Sequence, residues 1–303
     1  TEDSLVAAED TNVGNESVDI QQQEPVEISE LETTENNDLS KSSESITVDE
    51  SIAEDILATQ ADTAVVVGTV SDYLTAKGDA KLYNINLPAG VYLQAQLTTP
   101  ANADLDYDLY LLDAEGNILT GSDYYTYING TAGTLPEALG YITSGDTATY
   151  YLYVLASEGG SVSESFTLDY SVSTACDSYE IDESVRQALA FTYGAGGAYI
   201  ESRNLSSPID NDWYVITVPS SRIYDKLKIS ATTASTNTCS VEVYQNVASE
   251  GYQMKRVGSG NTISVSSGKY YIRVSNAKTM ENFDDLDIQN YKSVSYTHLT
   301  LPT

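Results

Sequence analysis

From about residue 63 onward, hydrophobic and polar positions alternate with a period of two. The runs AVVVGTV, AKLYNINLP, GVYLQAQLTT, DYDLYLLD, ATYYLYVLA and ESFTLDYSVS are each of strand length and are bounded by Gly, Asp, Asn and Pro. The three-and-four spacing of an amphipathic helix is absent from them. A second set follows in the same order: DNDWYVITVPS, YDKLKISATT, CSVEVYQNV, NTISVSSGKYYIRVSN and NYKSVS. Laying KLYNINLP on DWYVITVP puts Tyr83 beside Tyr214 and Pro88 beside Pro219. Laying TYYLYVL on KYYIRVS puts Tyr150 and Tyr151 beside Tyr270 and Tyr271, and DLYLLDAEGN falls on SVEVYQNVAS. Short strands separated by turn signals predict an all-β chain of two tandem antiparallel β-sandwich domains, jelly-roll-like, over 63–174 and 175–295. Between the two sets, DESVRQALAF has the make-up of one or two helical turns at the start of the second domain.

Residues 1–62 differ. They contain no aromatic residue and one basic residue, Lys41, and are filled with acids, Ser, Thr, Asn and Gln. Such a segment buries too little apolar surface to offset its ordering entropy, which predicts a disordered acidic leader acting as a solvated spacer. The stretch ESIAEDILATQ within it is too short to hold a helix alone. At the other end, YTHLTLPT (296–303) departs from the acidic, Tyr-rich character of the rest and resembles a translated sequencing-adapter sequence, which implies a non-native tail and a native chain that continued.

The net charge is -31, from 14 Lys and Arg against 45 Asp and Glu. A chain so acidic is repelled by nucleic acid and by anionic lipid and attracts cations, and it has no apolar run long enough to span a membrane. The first residue is Thr1, so the expected form is a mature chain or a fragment. Two cysteines, Cys176 and Cys239, leave a single bridge and two thiols equally open. The lone histidine, His298, lies in the divergent tail, so the body has no His-based triad or His-rich metal site. Neither GxSxG nor HExxH occurs, and the expectation is a non-enzymatic chain.

DYDLYLLDAEGNIL followed by TYYLYVLASEGGSVSESFTLDYSV resembles the bacterial pre-peptidase C-terminal domain. So does DSYEIDES followed by IDNDWYVITVP and SGKYYIRVSN. This resemblance covers about 63–295 and implies small β-sandwiches carried by secreted bacterial peptidases and other extracellular proteins. It is similar also to the collagen-binding modules of clostridial collagenases, which implies a calcium site. Carried over by position, that site takes Glu180, Asp182 and Glu183 from the lead-in segment and Asp210 and Asp212 from the acids before Trp213 and Tyr214. Acids from two separate segments would clip the lead-in to the sandwich. The plainer reading is that they cap a turn or a helix N-terminus. The first copy reads KGDAKLY where the pattern has its acids, which puts a site there in doubt.

Asp104, Asp106 and Asp108 alternate and, in an extended chain, would share one face, a weaker calcium candidate. The EF-hand pattern fails there, with Leu109 in the Gly position. A strand mouth with solvated acids leading into the turn DAEGN is the simpler reading. Tyrosine supplies 24 of the aromatic residues against 3 Phe and 1 Trp, and Tyr suits half-exposed strand positions. Tyr124, Tyr125, Tyr127, Tyr151 and Tyr153 are therefore candidate binding residues, although one face of TYYLYV must be core. Together these readings predict a monomeric, secreted or surface-attached pair of binding modules for extracellular protein or polysaccharide. The alternatives are a piece of a secreted hydrolase whose catalytic domain lies elsewhere and a calcium-stiffened spacer.

Overall fold

The computed structural model describes residues 43–45, 65–123, 135–174, 176–191, 198–220, 226–233, 239–248, 253–259, 262–276 and 289–298. Among them the regular structure is β-strand throughout. In the first half, β1 (Ser43–Ser45), β3 (Ala80–Leu87), β8 (Ala148–Glu158), β5 (Asp106–Leu112) and β6 (Ile118–Ser122) form a five-stranded sheet in that spatial order. A four-stranded sheet, β2 (Val65–Asp72), β9 (Phe166–Ser173), β4 (Tyr92–Thr98) and β7 (Glu137–Ile142), faces it. In the second half, β10 (Leu189–Phe191), β12 (Asn211–Val218), β17 (Gly268–Asn276), β14 (Cys239–Asn246) and β15 (Met254–Ser259) make the five-stranded sheet. Its four-stranded companion is β11 (Ala198–Leu205), β18 (Gln289–His298), β13 (Lys226–Thr233) and β16 (Thr262–Ser264). All pairings are antiparallel except β1 with β3 and β10 with β12, so the two sandwiches share one strand order.

Alternation explains the layers. In β8, Tyr150, Leu152, Val154 and Ala156 enter the first core, where they meet Tyr83, Ile85, Leu93, Leu97, Leu109 and Leu168. Burying each large side chain contributes about 1.5–3 kcal/mol. Tyr151 and Tyr153 point to the opposite face and pack on Leu82, Tyr110 and Leu112. The second core holds Tyr214, Ile216, Leu227, Val243, Tyr270 and Ile272. Ile85 stands opposite Tyr150, and Ile216 opposite Tyr270, so tyrosines aligned by sequence occupy matching rungs of the two ladders. The stretch after β5 is a tight hairpin. Asp113 Oδ1 accepts the amides of Glu115 (3.0 Å) and Asn117 (2.8 Å), and Gly116 takes a φ of 85° that other residues avoid.

Three features depart from the sequence reading. DESVRQALAF forms no helix: Gln187 N–H donates to the Ser184 carbonyl in a single turn, and Leu189–Phe191 then pair in parallel with β12. Pairing at the sheet edge satisfies these backbone groups better than a short helix would. Ser43–Ser45, in the acidic leader, pairs in parallel with β3. The last strand runs to His298, with Tyr296, Thr297 and His298 opposite Lys228, Leu227 and Lys226.

Candidate metal centre

The lead-in to the second sandwich is tied to β11 and β12 and carries its acids inward. Asp182, Glu183, Asp210 and Asp212 are buried, and Arg203, from β11, is buried with them. Trp213 N–H donates to the Asp182 carbonyl at 2.9 Å, which fixes the lead-in against β12. The peptide bond between Glu180 and Ile181 is cis. Arg203 Nη1 donates to Asp177 Oδ1 at 2.6 Å, Nη2 donates to Asp182 Oδ2 at 2.5 Å and also to Asp212, and Nε donates to the Tyr214 hydroxyl at 2.9 Å. Its guanidinium carbon lies 5.2 Å from the Tyr179 ring centroid and 5.6 Å from that of Tyr214.

One guanidinium does not neutralise six carboxylates. Ligand oxygens of Glu180, Glu183 and Asp210 lie within 4.8 Å of one another, as do those of Asp177, Glu180 and Asp212. The two trios meet at Glu180. Several oxygens there are buried without a donor: Asp182 Oδ1, Asp210 Oδ1, Glu180 Oε1 and, from the first sandwich, Gln94 Oε1. A buried acceptor left unpaired costs about 1–3 kcal/mol, more when charged. The acidities carry the same strain. Burial, then the carboxylates of Asp210 and Asp212, pushes Glu180 up to about 9. Burial pushes Asp210 up to about 6, even though the Ser206 amide and hydroxyl donate to it. Asp182 and Glu183 are raised well above the usual carboxylate range, mainly by burial. Carboxylate oxygens gathered at this density, three of them buried without a donor, fit a hard divalent cation, and calcium takes six to eight such oxygens.

Of the five sequence candidates, Glu180, Glu183, Asp210 and Asp212 fall in the two trios, while Asp182 lies beside them on Arg203 and belongs to neither. The sequence reading missed Asp177, Arg203, Tyr92 and Gln94. Arg203 left one signal, a lone cation inside a strand of a chain with 14 basic residues. Tyr92 and Gln94 left none, because they belong to β4 of the first sandwich. The Tyr92 hydroxyl contacts Glu183 and lies 2.9 Å from Glu180 Oε2, and Gln94 Nε2 donates to Glu183 Oε1 at 2.7 Å.

The first sandwich carries the same corner with its charges reversed. Asp72 stands where the second has Arg203, and Lys81 where it has Asp212, each pair nine residues apart. Lys81 Nζ lies 2.7 Å from Asp72 Oδ2, and the Tyr83 hydroxyl donates to that oxygen at 3.0 Å. An ammonium replaces a carboxylate at this corner, so KGDAKLY brings a self-neutralising ion pair there.

Asp104, Asp106 and Asp108 do not form a carboxylate trio. Asp104 lies exposed in the turn before β5, and neither carboxylate trio includes any of the three. Asp108 is buried and accepts from Ser157 and Tyr110 at 3.2 and 3.4 Å. Burial, then the Asp106 charge, pushes Asp108 up to about 7, and burial pushes Asp106 up to about 6. Tyr124, Tyr125 and Tyr127 lie outside the described residues. Tyr151 and Tyr153 line the outer face of the five-stranded sheet, half-buried beside Tyr110, Leu112 and Ile118. Cys176 and Cys239 do not form a disulfide.

No protein-family model matches this chain, and no curated protein matches it in sequence. Among solved structures it is similar to a periplasmic inhibitor of g-type lysozyme from Aeromonas hydrophila, at 11% identity and TM-score 0.25, over 43% of this chain and 96% of that one. It is similar also to tandem CBM51 modules of the family 98 glycoside hydrolase from Streptococcus pneumoniae, at 8% identity and TM-score 0.24, over 77% of this chain and 84% of that one. A putative secreted protein from Eubacterium rectale matches at 13% identity and TM-score 0.22, over 77% of this chain and 74% of that one. Likenesses this distant carry no argument about function.

Proposed function

We propose that this chain is a pair of non-catalytic extracellular accessory modules in which calcium fastens the lead-in of the second sandwich. The carrying observation is the carboxylate set Asp177, Glu180, Glu183, Asp210 and Asp212, gathered in two trios that share Glu180, with Glu180 Oε1, Asp182 Oδ1 and Asp210 Oδ1 buried without a hydrogen-bond partner. In that role calcium supplies charge neutralisation and the missing partners. Glu180, Glu183 and Asp210 are the ligands from one trio, with Asp177 and Asp212 flanking. The millimolar calcium of extracellular fluids suits a site of modest affinity, as extracellular modules have, so a secreted or surface location fits the chemistry. Equilibrium dialysis against calcium tests the assignment: saturable binding by the full chain, lost in Asp210→Asn and kept in Asp104→Asn, supports it. Binding that is equal in both variants refutes it.

The polymer-binding role rests on Tyr151 and Tyr153 on the outer sheet face of the first sandwich, half-buried beside Ile118 over the buried Tyr110 and Leu112. Aromatic rings on such a face suit extended polysaccharide or matrix protein. Retention on collagen, mucin or insoluble glycan, reduced by Tyr151→Ser with Tyr153→Ser, supports that role. No retention on any of them leaves a calcium-stiffened spacer, and a catalytic domain elsewhere in a longer chain makes these the accessory modules of a hydrolase.

A further inference from the structure

The carboxylates of the second sandwich are held partly by the first. In β4, Leu93, Ala95 and Leu97 enter the first core, so Tyr92, Gln94 and Gln96 share the opposite face. On an outer sheet face such polar side chains are ordinarily wet, yet Tyr92 and Gln94 are each only 1% exposed. They are covered by the lead-in. Glu183 Oε1 receives the Tyr92 hydroxyl and the Gln94 amide, while its other oxygen accepts the Asn211 N–H of β12 at 2.9 Å. One carboxylate therefore bridges the two sandwiches. Gly140 of β7 makes room for it: a Cβ there would lie 2.6 Å from Glu183 Cγ and 2.8 Å from Ile181 Cγ2. Around this point Arg186 donates to Asp123 from Nε at 2.8 Å and from Nη2, and Gln187 donates to Thr120 Oγ1 and the Gly140 carbonyl at 3.2 Å. Leu135 joins Val185, Ala188 and Trp213 in an apolar cluster at the same seam. Two unpaired buried acceptors, Gln94 Oε1 and Asp210 Oδ1, come from opposite sides of the junction.

We propose that β4 of the first sandwich is part of the cation site, with Tyr92 and Gln94 positioning Glu183 and Glu180 for ligation, so that loading the site locks the two sandwiches into one body. This rests on the calcium reading above. A ligand fixed by outer partners binds tightly because its geometry is set beforehand, and losing such a partner weakens metal binding about 10–100-fold.

Calorimetric titration of the full chain with calcium, combined with amide hydrogen exchange, tests this. In the unaltered chain, calcium is expected to slow exchange in 92–98 and 137–142 as well as in 177–187. Tyr92→Phe, which removes one hydroxyl, and Gln94→Met, which keeps the volume, are each expected to weaken binding about 10–100-fold. Each variant removes a buried hydrogen bond, so its metal-free melting temperature is expected to fall by a few degrees, and binding is compared at a temperature where every variant is folded. Gln96→Ala, on the same face and bonded at 3.4 Å to the Asn211 side chain rather than to a carboxylate, is expected to bind as the unaltered chain does. Calcium binding that slows exchange only in 177–212, or that is equally tight in Tyr92→Phe and Gln94→Met, overturns the inference while leaving the calcium site standing. An unaltered chain that binds no calcium overturns both.

Discussion

Arg203 donates from Nε to the Tyr214 hydroxyl at 2.9 Å, with its side chain wholly buried. Asp177, Asp182 and Asp212 take the remaining nitrogens. Removing the cation leaves three buried carboxylates facing one another. Arg203→Met is therefore expected to cost about 3–5 kcal/mol in chelator, read by urea denaturation of the second sandwich. Lys81→Met is the control in the first sandwich. Lys81 is a third exposed and its pair with Asp72 is screened by water, so a loss below about 1 kcal/mol is expected.

Asp108 makes the first sandwich sensitive to pH. Its carboxyl is raised from 3.8 to about 7 by burial and by the Asp106 charge. A raised acid favours the folded state where it is protonated in the fold. That contribution is complete below the unfolded value and is lost as pH rises through about 7. Urea midpoints of the first sandwich are thus expected to fall as pH rises from about 4 to 8, and Asp108→Asn is expected to flatten that slope.

Gly140 marks the seam between the sandwiches. The contacts its Cβ would make belong to Glu183, Ile181 and Tyr92, so Gly140→Ala must push the lead-in off β7. Limited proteolysis is expected to cut the variant faster around 174–188, while circular dichroism keeps its strand signal.

Asp113 holds the β5–β6 turn through two amides and the Asn117 side chain. Asp113→Ala removes all three hydrogen bonds, and a loss of about 0.5–2 kcal/mol is expected from thermal melting. Asn at this position keeps one acceptor oxygen and is expected to recover part of it.

The β5–β6 hairpin, the two-residue period of β8 and the matching rungs of Tyr150 and Tyr270 were legible because strand alternation and turn chemistry are local. The acids of the lead-in were picked out from a resemblance to collagen-binding modules, and the structure brings four of the five into the two trios, but their partners were not legible. Gln94 and Glu183 lie 89 positions apart, and only the docking of one sandwich on the other brings them together. Arg203 was hidden for the same reason, since a lone Arg in a strand does not announce three carboxylates. DESVRQALAF read as helix because its composition is helical, and the edge of β12 outweighed that preference. In DLDYDLYLLDAEGN the acids proved to be a strand and its turn, with Asp104 in solvent and Asp108 buried beside Ser157 and Tyr110.

The most direct measurement is thermal melting of the full chain with chelator and with saturating calcium, beside Asp210→Asn. Ligand at a hundred times its dissociation constant stabilises the folded state by about 2.7 kcal/mol, enough to move a domain's melting temperature by several degrees. The expected result is a rise of that size for the second sandwich in the unaltered chain and little or none in Asp210→Asn. No rise in the unaltered chain, or the same rise in both, contradicts a calcium site at Glu180, Glu183 and Asp210.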